Sequence, residues 1–263
     1  MSTTMQQGRL AGKIAVITGT AGGQGREAAV RFAAEGATVY GCDVNSDAAA
    51  ETVDLVTATG GIMNSVHPLD LTDEDAVRSW IDGIGALHGR IDILYANAGL
   101  TTFAAIPDIA LEDWRFVMAH EVDLVFLPVK HAWKYLAQSE NASVILVGST
   151  AGVTGSVTNT RLAHTASKGA VVAMTKQLAA EGAEHHIRAN CISPGMIRTP
   201  QSESTLLSDT HPMRTIASAI PLGRLGTPAD VVNYAVFLAS DEAGYVTGTN
   251  LMIDGGWSAV LPG

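Results

Sequence analysis

The sequence predicts an α/β fold: one doubly wound domain on a seven-stranded parallel sheet. Three observations carry that prediction. Short apolar runs alternate with helix-length segments along the whole chain, the pattern of repeated strand–helix–strand units. Several runs are continuously apolar, as in Ile14-Ala15-Val16-Ile17 and Val144-Ile145-Leu146-Val147, which suits strands covered on both faces. Finally, 263 residues with 47% apolar and only 16% charged side chains can bury one large core.

The elements follow in order. A first strand is expected at Ile14–Thr18, followed by a glycine-rich turn and a helix near Gln24–Glu35. Strand Thr38–Cys42 precedes a helix at Asp47–Ala58, and strand Ile62–Val66 precedes one at Asp73–Leu87. Strand Ile93–Asn97 leads to a long helical pattern over Leu111–Gln138. Strand Ser143–Ser149, helix Ala166–Glu184, strand Arg188–Ser193, helix Pro228–Ala239 and strand Asn250–Asp254 complete the alternation. One stretch, residues 199–225, reads as irregular and carries Pro200, Pro212 and Pro221. A loop that long within a compact domain reads as a lid or binding loop. The expected organisation is therefore a single domain over 1–263 with a lid insertion at 199–225. In such sheets ligands sit at the carboxyl ends of the strands.

Composition narrows the function. Sixteen basic against 26 acidic residues leave a net charge of −10, which disfavours nucleic acid and anionic membrane surfaces as partners. No apolar run reaches the length of a membrane span. The opening Met1–Lys13 has no apolar core of a signal peptide, so a cytoplasmic location is expected. Cys42 and Cys191 stand alone in apolar segments and read as two buried thiols. No histidine pair shows metal-ligand spacing, so no metal is expected.

The turn Thr18-Gly19-Thr20-Ala21-Gly22-Gly23-Gln24-Gly25 lies between a predicted strand and a predicted helix. Glycines there let the backbone approach a pyrophosphate, while the helix end offers free N–H groups. Asp43 closes the second strand, 18 residues after Gly25. A carboxylate there accepts hydrogen bonds from the ribose hydroxyls of NAD and repels the 2′-phosphate of NADP. A plain strand-end Asp is the alternative. No Arg or Lys occurs over residues 41–50 to receive that phosphate.

Taken together, these motifs resemble the short-chain dehydrogenase/reductase family, whose domain is of the Rossmann type. Gly19-x-x-x-Gly23-x-Gly25 is similar to its phosphate-binding turn, and Ala96-Asn97-Ala98-Gly99 to its Asn-Ala-Gly element. Pro194-Gly195-Met196-Ile197-Arg198-Thr199 is similar to its Pro-Gly…Thr segment, and Asp254-Gly255-Gly256 closes the chain in the family manner. The resemblance runs from about Gly8 to Trp257. It implies cofactor contacts from Gly19, Gly23, Gln24 and Gly25. Further contacts would come from Asp43 with Val44, from Asp70 with Leu71, and from Asn97, Ala98, Gly99 and Lys168. Pro194, Gly195, Ile197 and Thr199 would seat the carboxamide. Gln24 replaces the usual aliphatic residue.

The implied catalytic set departs from the family pattern. Lys168 has His164, not Tyr, one helical turn before it. The Asn position falls on Glu121. Ser149 lies 15 residues before His164, so the Val153–Ala163 loop carries about two residues more than the family pattern. One reading is lost catalysis with the cofactor shell retained, as a regulatory or non-redox, lyase-like protein. The other is that His164 moves the proton. An imidazole with an ordinary pKa of ~6.5 is a better base near neutrality than a phenol at ~10. Glu121 would orient the ring, or else be a solvated helix carboxylate. Arg161, in the altered loop, could meet an anionic substrate; a solvated loop arginine is the plainer reading.

The sequence thus leads to an NAD-dependent alcohol dehydrogenase or ketone reductase acting on a small hydrophobic substrate. Phe103, Met196, Leu206, Leu207 and Met213 are expected to line an apolar pocket. The resemblance also implies a homotetramer. Val122, Val125, Phe126, Val129 and Trp133 form an apolar helical stripe that suits an interface, unless it faces the sheet.

Overall fold

The structure, a computed structural model, describes residues 8–260. The part of the Met1–Lys13 reading that concerns residues 1–7, and the last three residues of the expected domain, lie outside the described residues. Seven strands pair in parallel in the order β3-β2-β1-β4-β5-β6-β7. They are β1 (Ile14–Thr18), β2 (Thr38–Cys42), β3 (Ile62–Val66), β4 (Ile93–Ala96), β5 (Ala142–Val147), β6 (Ile187–Pro194) and β7 (Asn250–Ile253). β1, β4, β5 and β6 are buried at every position, which explains their unbroken apolar runs.

Helices cover both faces. α1 (Gly23–Ala34), α2 (Ser46–Ala58) and α8 (Pro228–Ala239) share one core cluster with Phe32, Val56, Tyr95 and Val232. On the other face α3 (Glu74–His88), α5 (Leu124–Leu136) and α6 (Leu162–Gly182) share a second with Trp80, Leu94, Val125 and Val171. Strand order reverses between β1 and β4, which opens a crevice at their carboxyl ends.

Four expectations need correction. The long helix over Leu111–Gln138 is interrupted: α4 (Leu111–Met118) and α5 are joined by a π-helical turn, Ala119–Asp123. One wide turn leaves the apolar periodicity almost intact, so the sequence pattern passes over it. α6 begins at Leu162, a turn earlier than expected, and so includes His164. Residues 199–225 are not irregular throughout. They hold α7 (Pro200–Ser204), nucleated by a Thr199–Ser202 capping box, and a 3₁₀ segment at Pro212–Ala219. Lastly, the stripe on α5 turns partly inward. Val125 and Val129 are buried in the core, while Phe126 stays exposed. Among the described residues no helix is long and apolar enough to cross a membrane.

The crevice is pinned by one buried threonine. Thr18, at the end of β1, accepts from the backbone N–H groups of Asn97 and Ala98, both at 3.0 Å. In return the Asn97 side-chain amide donates to the Thr18 carbonyl at 3.1 Å. The ends of β1 and β4 are thereby locked in register where the ligand crevice opens. Thr18→Val keeps the shape and strands two N–H groups, a loss on the order of 2 kcal/mol. Urea unfolding measures it; a change below about 0.5 kcal/mol would show that the staple is dispensable.

Candidate active site

The glycine-rich turn departs from β1 with Gly19 at φ +75° and Gly23 at φ +52°, a left-handed backbone that side-chain-bearing residues resist. A Cβ on Gly25 would lie 1.9 Å from the Gly19 carbonyl oxygen, so no other residue fits. The N-cap of α1 is Gly22, which has no side chain to occupy the first-turn N–H groups. These groups remain available to an anion. Across the turn, the Thr199 methyl stands 3.2 Å from where a Cβ on Gly23 would sit. Gln24 Oε1 is buried there with no hydrogen-bond partner among the described residues. A cradle that side chains would fill and bare helix N–H groups together fit a dinucleotide pyrophosphate, while the orphaned Gln24 oxygen can accept only from a hydroxyl or N–H.

Around this turn the predicted binding residues divide in two groups. Asn97, Ala98 and Gly99 are brought to it by the Thr18 staple, and Asn97 Nδ2 also reaches the Gly19 carbonyl at 3.4 Å. Asp43 arrives from β2; its carboxylate accepts from Ala21 N at 2.8 Å and Asn45 N at 2.9 Å. It therefore braces the turn as well as facing it. Val44 beside it is exposed. Pro194 ends β6, Gly195 N donates to Ile253 O at 2.9 Å, and Ile197 is buried against Gly226. Asp70 is on the surface, where bonds from the Thr72 backbone and hydroxyl hold its carboxyl below the usual range. The Leu71 side chain is turned into the core, leaving only its backbone to a ligand.

A cation does stand at the turn outside residues 41–50: Arg26, on α1. Its guanidinium donates to the carbonyls of Ala21 at 2.7 Å and Ala48 at 2.9 Å. It also reaches Thr52 Oγ1 at 2.9 Å and Glu51 Oε2 at 3.0 Å. Through Nε and Nη2 this cation joins α1, α2 and the turn.

The catalytic candidates converge on one buried carboxylate. The π-helical turn carries Glu121 inward, where it is 3% exposed. His164 Nδ1 lies 2.8 and 2.9 Å from its two oxygens. Ser167 donates its hydroxyl to Glu121 at 2.6 Å. Lys168 Nζ, 3.8 Å from Glu121, donates to the Val147 carbonyl at 3.0 Å. Burial alone would raise the Glu121 carboxyl. The hydrogen bond from His164, the Lys168 charge and the Ser167 hydroxyl outweigh it and hold the group below its ordinary value. A carboxylate only accepts, so Nδ1 carries a proton and Nε2 is the ring atom left to exchange one. Phe103 packs edge-on to the imidazole, ring centres 5.8 Å apart.

Ser149 is less firmly placed. It caps the 3₁₀ turn Thr150–Gly152, accepting from Ala151 N at 3.1 Å, and no hydrogen bond joins it to His164 among the described residues. Ser167 escaped the sequence reading, although its position between His164 and Lys168 on the same helix pointed to it. The expected apolar lining is also redistributed. Met196, Met213, Leu206 and Leu207 pack with Ile220 into a separate small core that holds residues 199–225 together. Phe103 of that set packs against His164.

A family model described as enoyl-(acyl carrier protein) reductase matches residues 19–258. The 3-oxoacyl-[acyl-carrier-protein] reductase FabG of Thermotoga maritima is 39% identical over 94% of this chain and 98% of its own length. Cyclopentanol dehydrogenase of a Comamonas strain is 34% identical over 96% and 99%. Among solved structures, a short-chain dehydrogenase/reductase from Burkholderia xenovorans superposes with TM-score 0.92. It is 31% identical, over 97% of this chain and all of that one. The chain belongs to the short-chain dehydrogenase/reductase family. An NAD(P)-dependent gluconate 5-dehydrogenase from Beutenbergia cavernae, crystallised with NADP, is 33% identical with TM-score 0.89, covering 95% and 98%. The family chemistry is oxidoreduction with a nicotinamide dinucleotide, and the relatives include alcohol dehydrogenases.

The depressed Glu121 carboxyl has a pH signature. Its contribution to stability is complete above the ordinary Glu range, near pH 4.3. It is lost as pH falls through the lowered folded value. The difference in Tm between the wild type and Glu121→Gln should be widest near neutral pH and shrink below about pH 4. A difference independent of pH would show that the carboxylate charge is not what binds this cluster.

Proposed function

We propose that the protein is an NAD-dependent oxidoreductase that interconverts a small secondary alcohol and its ketone, with His164 as the proton-transfer group. The observation that carries this is the clamp of His164 Nδ1 on the buried, ionised Glu121. It sets the tautomer and aims Nε2 as the exchanging atom. Ser149 Oγ, already accepting from Ala151 N, keeps its own O–H free to donate to the substrate oxygen. Lys168 lies within reach of Gly99 at the mouth of the cradle and holds the ribose side while its charge steadies Glu121. When bound, the nicotinamide supplies the hydride donor or acceptor. In oxidation His164 takes the hydroxyl proton; in reduction it returns one. Residues 199–225 act as the lid, since Thr199 lies against the cofactor turn and the segment carries its own small core.

NAD rather than NADP is the proposed partner. Asp43 presents to the turn a carboxylate that would repel a 2′-phosphate, and Arg26, the nearby cation, already holds four protein acceptors through Nε and Nη2, one of them the Glu51 carboxylate. The reading as an inactive or lyase-like relative has less support, because an intact cofactor cradle adjoins a set of proton-active side chains. A homotetramer is proposed as well: Leu111, Phe116 and Phe126 leave an apolar face exposed on α4 and α5, and β7 is a half-buried edge strand. Light scattering at micromolar concentration should give about four chain masses, and 27.3 kDa would refute it.

His164→Ala should lower kcat by roughly 10²–10⁴-fold and leave calorimetric NAD affinity nearly unchanged. Full activity in that variant would move the role to Glu121 or a water. His164→Tyr with Glu121→Asn should recover more activity than His164→Tyr alone, because a phenol beside the buried carboxylate is held from ionising. In the same calorimeter NADP should bind more weakly than NAD. Equal binding would remove Asp43 as the selector.

A further inference from the structure

We infer that Arg161 forms an anion subsite beside His164, so that the substrate is a hydroxy or oxo acid held by its carboxylate. The inference rests on the oxidoreductase reading above and narrows its substrate. Arg161 is the N-cap of α6, three residues before His164 and seven before Lys168. Arg161 stands immediately before the first turn of α6, the turn that carries His164, at φ −149° and ψ 38°, and its carbonyl accepts from Thr165 N at 2.8 Å.

Two features show that this is not a solvated loop arginine. It is half-buried, and burial shifts its guanidinium below its ordinary value. Its charge also lacks a counter-ion. Among the described residues no carboxylate lies within ion-pair distance of Arg161, and Nε is buried with no partner at all. Nη2 reaches only Thr154, at 3.3 Å to the hydroxyl and 3.5 Å to the carbonyl. Half-buried Arg26 and buried Arg188 contrast with it: each has several acceptors within 3.0 Å. A buried cation left without an anion is costly, and binding one relieves that cost.

The position selects the substrate. Thr154, which Arg161 touches, bonds back to Thr150 of the turn that Ser149 caps. Arg161 is thereby tied to the loop that carries the proposed substrate hydroxyl donor. A molecule whose carbinol oxygen meets Ser149 and His164 would present its next few atoms along α6 towards Arg161. One planar guanidinium matches one carboxylate in a paired hydrogen bond. A phosphate dianion is the poorer fit, since the chain carries a net charge of −10 and a single cation would face two charges. The two extra residues of the Val153–Ala163 loop have a use on this reading: they bring an arginine to the pocket.

The test has a binding arm and a kinetic arm. In thermal-shift titrations, butyrate should raise the Tm of the wild type, butyramide should not, and Arg161→Gln should lose the response while Arg161→Lys keeps part of it. In kinetics, short hydroxy acids should exceed their own amides in kcat/KM by about tenfold or more. Arg161→Gln should erase that preference through KM, with kcat changing little. Butyrate and butyramide acting alike, or Arg161→Gln leaving the acid preference intact, would overturn the subsite. Preference for the matching phosphate ester would overturn the carboxylate assignment. Arg161-dependent butyrate binding without turnover of any alcohol, acid or ketone would retain the subsite and reject the oxidoreductase reading.

Discussion

The site depends on a single electrostatic constraint. A carboxylate as buried as Glu121 is unfavourable unless cations and hydroxyls surround it, and His164, Ser167 and Lys168 do so from one turn of α6. The same constraint reaches outward. α4 and α5 must be joined by a π-helical turn for Glu121 to point inward. α6 must begin early enough to include His164 in its first turn. Removing any one group would leave the others with an uncompensated charge or a misdirected hydrogen bond.

A second network holds the cofactor side, and it is mostly backbone. Thr18 and Asn97 tie β1 to β4, Asp43 ties β2 to the turn, and Arg26 ties α1 to α2. None of these side chains can leave without releasing a buried N–H or carbonyl. Their positions rigidify a loop whose glycines would otherwise make it flexible. The division is physically sensible: the proposed pyrophosphate cradle is built from main chain held by side chains, whereas the proposed reacting centre is built from side chains held by helices.

The proposed site places polarity differently from the pattern the family resemblance implies. On that reading an imidazole and a carboxylate stand where a phenol and an amide are expected, and the pair His164–Glu121 carries charge as well as hydrogen bonds. A half-buried arginine then stands at the start of α6 without a counter-ion among the described residues, its Nε unpartnered. Of the methionines and leucines expected as pocket walls, Met196 does line a cavity, while Leu206, Leu207 and Met213 pack within residues 199–225.

Strand positions, helix order and the cofactor turn were legible in the sequence, because apolar periodicity and glycine spacing are local and report burial directly. The expected runs at Ile14–Thr18, Thr38–Cys42 and Ile62–Val66 coincide with β1, β2 and β3. His164 was also legible, since four residues before Lys168 is one helical turn. Folding decided the rest. The π-helical turn leaves almost no trace in periodicity, yet it brings Glu121 onto His164 from 43 residues away. Ser167 looked like an ordinary helix serine until that carboxylate arrived. Whether Arg161 is solvated or buried without a counter-ion depends on how the loop after β5 packs on α6. No local pattern encodes that, because burial and pairing of a charge belong to the assembled structure and not to its neighbours along the chain.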